Sequence, residues 1–168
     1  PSDIESLSSN RTYDIFEDDL GNIWVGTYEG LNLFNLNEGN FSRYTRQNTE
    51  LPADHVFSIY QSREGKYWIG TVFGLATGAK SLFPKFDSSI GRLSSDSVNA
   101  FGETNDGSLW IGTDSGLNRL APGQRQFTWI NEFTTPSISS SVVMSLLGEG
   151  NLLWVGTYDQ GLNVIDLS

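Results

Sequence analysis

One tetrapeptide recurs four times in this chain: Trp24-Val25-Gly26-Thr27, Trp68-Ile69-Gly70-Thr71, Trp110-Ile111-Gly112-Thr113 and Trp154-Val155-Gly156-Thr157. The copies lie 44, 42 and 44 residues apart. Self-similarity at a fixed period of roughly 40 to 50 residues marks a supersecondary unit that cannot bury its apolar face alone and is stacked on copies of itself. The first question is therefore what one repeat is.

In the first copy, Thr12-Tyr13-Asp14-Ile15-Phe16 reads as a short strand, Asp18-Asp19-Leu20-Gly21-Asn22 as a turn, and Ile23-Trp24-Val25-Gly26-Thr27 as a second strand rich in β-branched and aromatic residues. Tyr28-Glu29-Gly30 then reverses the chain. Residues 31–36 alternate apolar and polar positions, and Phe41-Ser42-Arg43-Tyr44 completes a four-stranded antiparallel meander. The other copies keep the punctuation, with Glu64-Gly65, Asp106-Gly107 and Glu149-Gly150 in the first hairpin and Gly74, Gly116 and Gly161 after the Gly-Thr pair. Turns of this kind favour glycine for positive φ and need no ligand to explain it. The glycine inside each Trp-containing strand, Gly26, Gly70, Gly112 and Gly156, predicts close approach of another group, an aromatic ring from the adjoining sheet being the expectation. Each tryptophan is expected to fill the space between two sheets.

Small sheets of four strands with a Trp and Gly signature describe the blades of a β-propeller, in preference to a β-sandwich or an open β-solenoid. The expected blades are residues 8–48, 52–90, 94–134 and 138–168, the last lacking its outer strand, within one all-β propeller segment over 1–168. Four blades stand at the lower limit of the usual range of about four to eight, so the segment reads as part of a larger propeller. Pro1-Ser2-Asp3-Ile4-Glu5-Ser6 lacks the aromatic spacing of Phe41 and Tyr44 and is not expected to supply the missing strand. Two copies depart from the pattern. Gly74-Leu75-Ala76 replaces the Gly-Leu-Asn of the other repeats, which makes the third strand of the second blade the least certain, and Tyr158-Asp159-Gln160 adds a residue that should make its loop protrude.

The pattern Asp-x-x-Gly-x-Leu/Ile-Trp-Ile/Val-Gly-Thr followed by Gly-Leu-Asn resembles the two-component regulator propeller repeat. That resemblance covers nearly the whole chain. It implies the periplasmic sensor region of a bacterial hybrid histidine kinase or of a diguanylate cyclase, with any signalling output outside this segment.

The chemistry on offer is sparse. A net charge of −10 sets a negative field over the surface, so neither a nucleic acid nor an anionic membrane surface is an expected partner. The absence of cysteine removes disulfides, thiolate zinc sites and thiol catalysis. No apolar run is long enough to span a bilayer as a helix, and no export leader is present in these residues. The single histidine, His55, has no nucleophile or acid beside it in a recognisable pattern, and Ser94, Ser95 and Ser97 near Asp96 lack a nucleophile-elbow motif. Glu17-Asp18-Asp19 and Glu103-Thr104-Asn105-Asp106-Gly107 look like pieces of calcium loops but lack the full spacing and read better as hairpin turns. No enzyme activity, no metal and no cofactor are expected. A propeller lyase of the streptogramin-degrading kind is the enzymatic alternative, and one histidine gives it little to work with.

In a propeller, the loops joining blades share a face with the reversals between second and third strands. Two sets of residues are thereby expected to meet: Tyr28, Glu29, Phe73, Asp114, Tyr158, Asp159 and Gln160 after each Gly-Thr, and Arg11, Asp54 and His55 before the inner strands. They vary between repeats while the scaffold residues Trp24, Gly26, Thr27, Trp68, Gly70, Thr71, Trp110, Gly112, Thr113, Trp154, Gly156 and Thr157 do not. Flat rings beside hydrogen-bonding groups suit an oligosaccharide or a peptide edge. The expected function is non-catalytic ligand sensing in a periplasmic receptor, the alternative a protein-interaction scaffold without a small ligand, and the uncovered blade faces invite self-association of propeller arcs.

Overall fold

The computed structural model describes residues 5–78 and 92–168, and among them every regular element is a β-strand. The chain divides into two compact units, the first holding two sheets and the second holding two more. In the first unit, β1 (Thr12–Glu17), β2 (Ile23–Thr27), β3 (Gly30–Asn35) and β4 (Asn40–Tyr44) form one antiparallel meander, and β5 (Val56–Gln61), β6 (Tyr67–Thr71) and β7 (Gly74–Gly78) form the next. In the second, β8 (Val98–Glu103), β9 (Leu109–Thr113), β10 (Gly116–Leu120) and β11 (Thr128–Ile130) are followed by β12 (Val143–Glu149), β13 (Leu152–Thr157) and β14 (Leu162–Asp166). These are the blades of a β-propeller. The uncertain third strand of the second blade forms as β7 and pairs in the same register as its counterparts, while the outer-strand region of that blade, residues 79–91, lies outside the described residues.

Glycine sets the hairpins where geometry demands it. Gly21, Gly65 and Gly107 share a φ of +77°, the left-handed region that a side chain disfavours. At Gly30 and Gly116 the φ is also positive, and a Cβ would stand 2.8 Å from the carbonyl oxygens of Tyr44 and Ile130. Residues 5–7 lie along β4: the Phe41 N–H donates to the Glu5 carbonyl, and the Arg43 guanidinium donates to the carbonyls of Ser6 and Leu7.

The strand glycines are there for packing, but the group that approaches is not aromatic. A Cβ on Gly26 would meet Val56 Cγ1 and the Val56 carbonyl at 3.0 Å, and one on Gly112 would meet Val143 Cγ1 at 2.5 Å. Gly26 and Gly112 each receive the first valine of the following inner strand, while Gly156 faces Ser145 on its own sheet, so the expectation of a ring is corrected at these positions. A branched aliphatic head fits the shallow floor that a glycine leaves in a pleated strand.

Trp24 and Trp110 do lie between the two sheets of their units, as expected, whereas Trp154, on the last sheet, is only partly buried. Trp24 is fully buried, 5.7 Å from the ring of Tyr44 on its own outer strand and 5.7 Å from Tyr67 on the following sheet. Its core partners include Leu31, Leu33, Val56, Ile59 and Ile69. Trp110 occupies the same place in the second unit, with Leu117, Val143, Leu153 and Val155. Each indole N–H then needs an acceptor at the hairpin. Trp24 Nε1 donates to Asp18 Oδ2 at 2.9 Å, Trp110 Nε1 to Thr104 Oγ1 at 2.9 Å, and Trp154 Nε1 to Glu149 Oε2 at 3.2 Å.

Asp18 thereby becomes a buried hub. Its carboxylate accepts from Tyr67 Oη at 2.6 Å, from Trp24, from the Asn22 side chain and from the backbone N–H groups of Leu20 and Asn22. Burial by itself raises the pKa of this carboxyl, but the hydrogen bonds from Tyr67, Trp24 and Asn22 outweigh it and hold the group well below the usual carboxylate range. In the third blade, Asp106 is engaged by Thr104, Ser108 and Arg119 in a comparable turn. Both acidic segments lie at hairpin turns, with the carboxylates of Asp18 and Asp106 committed to protein donors.

Candidate ligand-recognition site

Four β-bulges place the site. Each inner strand breaks register at its start, between Thr12 and Asp14, Val56 and Ser58, Val98 and Ala100, and Val143 and Ser145. The residue stepped over in each case, Tyr13, Phe57, Asn99 or Met144, has no partner across the ladder. A bulge of this kind re-aims its side chain away from the regular pleat.

The reversal after each Gly-Thr is tied to the same edge. The Tyr28 N–H donates to the Arg11 carbonyl at 3.0 Å, Val72 to His55 at 3.1 Å and Tyr158 to Val142 at 2.9 Å. The threonine of the repeat is the clasp of that reversal: Thr27 Oγ1 donates to the Gly30 carbonyl and accepts from the Glu29 N–H, and Thr71, Thr113 and Thr157 bond Gly74, Gly116 and Gly161 likewise. The segment leading into the inner strand is fixed by a second device. Asn32 accepts from the Ser8 N–H at 2.8 Å and donates back to Ser8 Oγ, which pairs with Thr27 Oγ1. Asn118 with Ser94 and Asn163 with Ser139 repeat the exchange. In the second blade, the asparagine is Ala76 and the serine is Pro52, which has no N–H to offer. Both halves of the polar pair are replaced together.

In the first unit, this framework gathers a ring cluster. His55 lies 4.7 Å from Tyr13, 4.6 Å from Tyr28 and 4.3 Å from Phe57, and Tyr13 meets Phe57 edge-on at 5.2 Å. The Arg11 guanidinium stands over Tyr28 at 5.4 Å, a cation–π distance. Tyr13 and Tyr28 are each 44% exposed, so the cluster has an open aromatic surface. Phe73 is exposed on the reversal of the second sheet, and Glu29 is exposed beside Tyr28. Burial, and then the charge of Arg11, push the His55 imidazole below its ordinary pKa, so it is neutral at neutral pH. Its Nε2 is buried and without a hydrogen-bond partner among the described residues.

Of the expected site residues, Arg11, Tyr28 and His55 come together here. Asp54 does not join them; its carboxylate accepts the Arg46 N–H at 2.6 Å and holds the turn before the second sheet. In the second unit, Asp114 accepts from Asn99 Nδ2 at 2.8 Å, and Asn99 also donates to the Val143 carbonyl. Tyr158, Asp159 and Gln160 are all exposed, and the Gln160 carbonyl accepts from Ser139 Oγ. Tyr13, Phe57, Asn99 and Met144 were not foreseen. The signal was available in their side chains, which change from ring to amide to thioether at one strand position while the residues beside them stay apolar or small.

The geometry offers stacking surface, one cation and one neutral imidazole. Among the described residues, no three His, Cys, Asp or Glu side chains gather to hold a metal ion.

A family model for the two component regulator propeller matches residues 6–29, 50–73 and 92–115. Each match runs from the approach to the inner strand, through the Trp hairpin, to the reversal. Three of the four repeats are two-component regulator propeller repeats. The repeats also match solved structures: the extracellular domain assigned to the hybrid two-component system BT4673 from B. thetaiotaomicron, at 23% identity with a TM-score of 0.78, over 99% of this chain and 24% of that one. The corresponding domain of BT3049 from the same organism matches at 22% identity and a TM-score of 0.60, over 100% of this chain and 28% of that one. An inactive variant of virginiamycin B lyase from Staphylococcus aureus, solved with quinupristin, matches at 14% identity and a TM-score of 0.61, over 94% of this chain and 56% of that one. At these identities the likeness concerns the fold. The propeller repeats here span about a quarter of the length of the two extracellular domains. No curated protein shows significant similarity to the sequence.

Proposed function

We propose that this chain is a non-catalytic recognition segment of an extracytoplasmic bacterial receptor, and that the ring cluster of its first unit contacts the ligand. The observation that carries the reading is the convergence of Arg11, Tyr13, Tyr28, His55 and Phe57 at one edge of two adjacent sheets, with the two tyrosines open to solvent. Half-exposed aromatic faces stack on sugar rings and on peptide side chains, and Arg11 supplies donors for a hydroxyl, a carbonyl or a carboxylate. An oligosaccharide or a short peptide fits that chemistry. The repeat family and the extracellular neighbours support a periplasmic location, and the proposal assigns the signalling output to a histidine kinase or a diguanylate cyclase. A rigid propeller signals by reorienting whole domains.

The same open rings also suit a protein partner, since tyrosine and arginine dominate binding energy at interfaces. A lyase role finds less support, because His55 is walled by the rings of Tyr13, Tyr28 and Phe57 and, among the described residues, no three His, Cys, Asp or Glu side chains gather to hold a metal ion.

The test is thermal stabilisation of the purified protein by a panel of oligosaccharides and short peptides. A hit should lose roughly tenfold or more in affinity with Tyr28→Ala or Tyr13→Ala, as expected when a stacked ring worth about 1–2 kcal/mol is removed. Both variants should keep the wild-type melting temperature without ligand to within a few degrees. Binding unchanged in both variants would take this cluster out of the site.

A further inference from the structure

The first and third blades carry the same two hairpins at one end of their strands and finish them differently. In the third, Arg119 pairs Trp110 across the ladder, and its guanidinium stands over that ring at 5.4 Å and binds Asp106 of the first hairpin at 2.7 Å. Pro122 of the second hairpin closes the gap: a Cβ on Gly107 would meet Pro122 Cγ at 3.2 Å. In the first blade, Leu33 pairs Trp24 at the place of Arg119, Leu20 stands at the place of Asp106, and Leu36 stands at the place of Pro122. The ion pair is gone, and a Cβ on Gly21 would meet no atom of the second hairpin within 4 Å.

The hairpins part here into a cleft of about 550 Å³. Leu20 and Asn22 line it from the first hairpin, Leu36 and Glu38 from the second, and Asn35 and Ser42 from β3 and β4. All of its lining residues belong to one sheet and its hairpins, at the strand ends opposite the ring cluster. Leu20 is 78% exposed and Leu36 83%, so two large aliphatic side chains stand in water where the third blade has an ion pair and a proline. Both gain by burial against a partner. The polar part of the cleft is already fixed. Asn35 Nδ2 donates to Asn40 Oδ1 at 2.7 Å and to Ser42 Oγ at 3.1 Å, and Asn40 Nδ2 donates to Glu38 Oε2 at 3.2 Å. With its amide hydrogens committed, Asn35 retains an acceptor, Oδ1, and Glu38 adds a carboxylate. None of the residues lining the cleft is a cation.

We propose that this cleft binds an extended basic peptide segment of a partner protein, with an aliphatic side chain between Leu20 and Leu36 and a lysine or arginine beside Glu38. Main-chain N–H groups of such a segment supply the donors that Asn35 lacks. A net charge of −10 favours the same occupant by drawing cations to the surface, whereas a neutral sugar leaves the Glu38 charge uncompensated.

Fluorescence anisotropy of the purified protein tests this with a labelled short peptide of alternating leucine and lysine, beside matched peptides of leucine with glutamate and of serine with lysine. The leucine-lysine peptide should bind at least about tenfold more tightly than either control. Leu20→Ser and Leu36→Ser together should weaken it by about tenfold, or about 1.4 kcal/mol. Glu38→Gln should weaken it by about threefold and flatten its salt dependence. All three positions are exposed, so these variants should keep the wild-type circular dichroism and melting temperature. Phe133→Ser, which removes an exposed ring from the second unit, should bind the peptide as wild type does and so separates the cleft from general adhesion to apolar surface. No binding by wild type up to roughly 1 mM peptide overturns the proposal, as does a double leucine variant that binds as tightly as wild type or an equal loss in Phe133→Ser. Displacement of the peptide by a neutral glucose oligosaccharide would assign the cleft to a glycan and overturn it as well.

Discussion

Asp18 shows how one side chain ties a blade to its neighbour. It accepts the indole N–H of its own hairpin and the phenol of Tyr67 from the next sheet, so removing its charge weakens the tryptophan wedge and the inter-sheet contact together. Hydrogen bonds to a charged group contribute about 1.5–3 kcal/mol each, and an amide at the same place keeps part of that. Asp18→Asn should therefore lower the unfolding free energy by about 2–3 kcal/mol, read from urea denaturation at neutral pH. The pH dependence has a definite sign. The folded-state pKa is depressed, so the stabilisation is complete above the unfolded value of about 3.9 and is lost as pH falls below it toward the folded value. Wild type should lose stability steeply below about pH 4, and Asp18→Asn should follow a flatter curve; parallel curves would show that the carboxylate is not the group titrating.

At the level of the sheet, the second blade presents a natural double substitution. Where the other blades join a serine N–H to an asparagine side chain, this one has Pro52 and Ala76, and β7 forms in the same register without the pair. Replacing both partners by apolar groups is nearly neutral, whereas installing one alone buries an unsatisfied polar group at about 1–3 kcal/mol. Ala76→Asn should thus destabilise by about that amount, and Pro52→Ser added to it should recover most of the loss. Additive effects in the four-protein thermodynamic cycle would contradict the pairing. The strands themselves were legible from sequence, because Ile23–Thr27 and its counterparts are rich in β-branched and aromatic residues and are followed by a turn glycine, and so was the meeting of Arg11, Tyr28 and His55 at one edge. The Ser–Asn exchange escaped because its partners are 24 residues apart and each alone looks like an ordinary loop or strand polar residue. The bulges escaped because Tyr13 and Phe57 look like one more step of a regular strand. The neighbour of Gly26 was misjudged because a glycine in a strand reports that something comes close and not what it is.

Over the whole molecule, electrostatics sets how readily copies approach one another. A net charge of −10 with a pI near 4.3 makes two copies repel at neutral pH, and that repulsion opposes any self-association. Added salt screens it within about 10 Å at 0.1 M. Self-association should strengthen with ionic strength at pH 7, and strengthen again as pH is lowered toward 5, a window still above the acid loss of Asp18. Weakening with salt, measured by sedimentation velocity, would point to attraction between opposite charges in place of like-charge repulsion. The recognition edge obeys a different logic. Because the ladder skips one position at the head of every inner strand, residues 13, 57, 99 and 144 have no cross-strand partner in the register, and exchanging Tyr13, Phe57 or Met144 should leave their sheets intact, whereas Asn99 also bonds Asp114 and the Val143 carbonyl. On the proposed reading, binding preference can be rewritten one repeat at a time, like movable type set in a fixed frame.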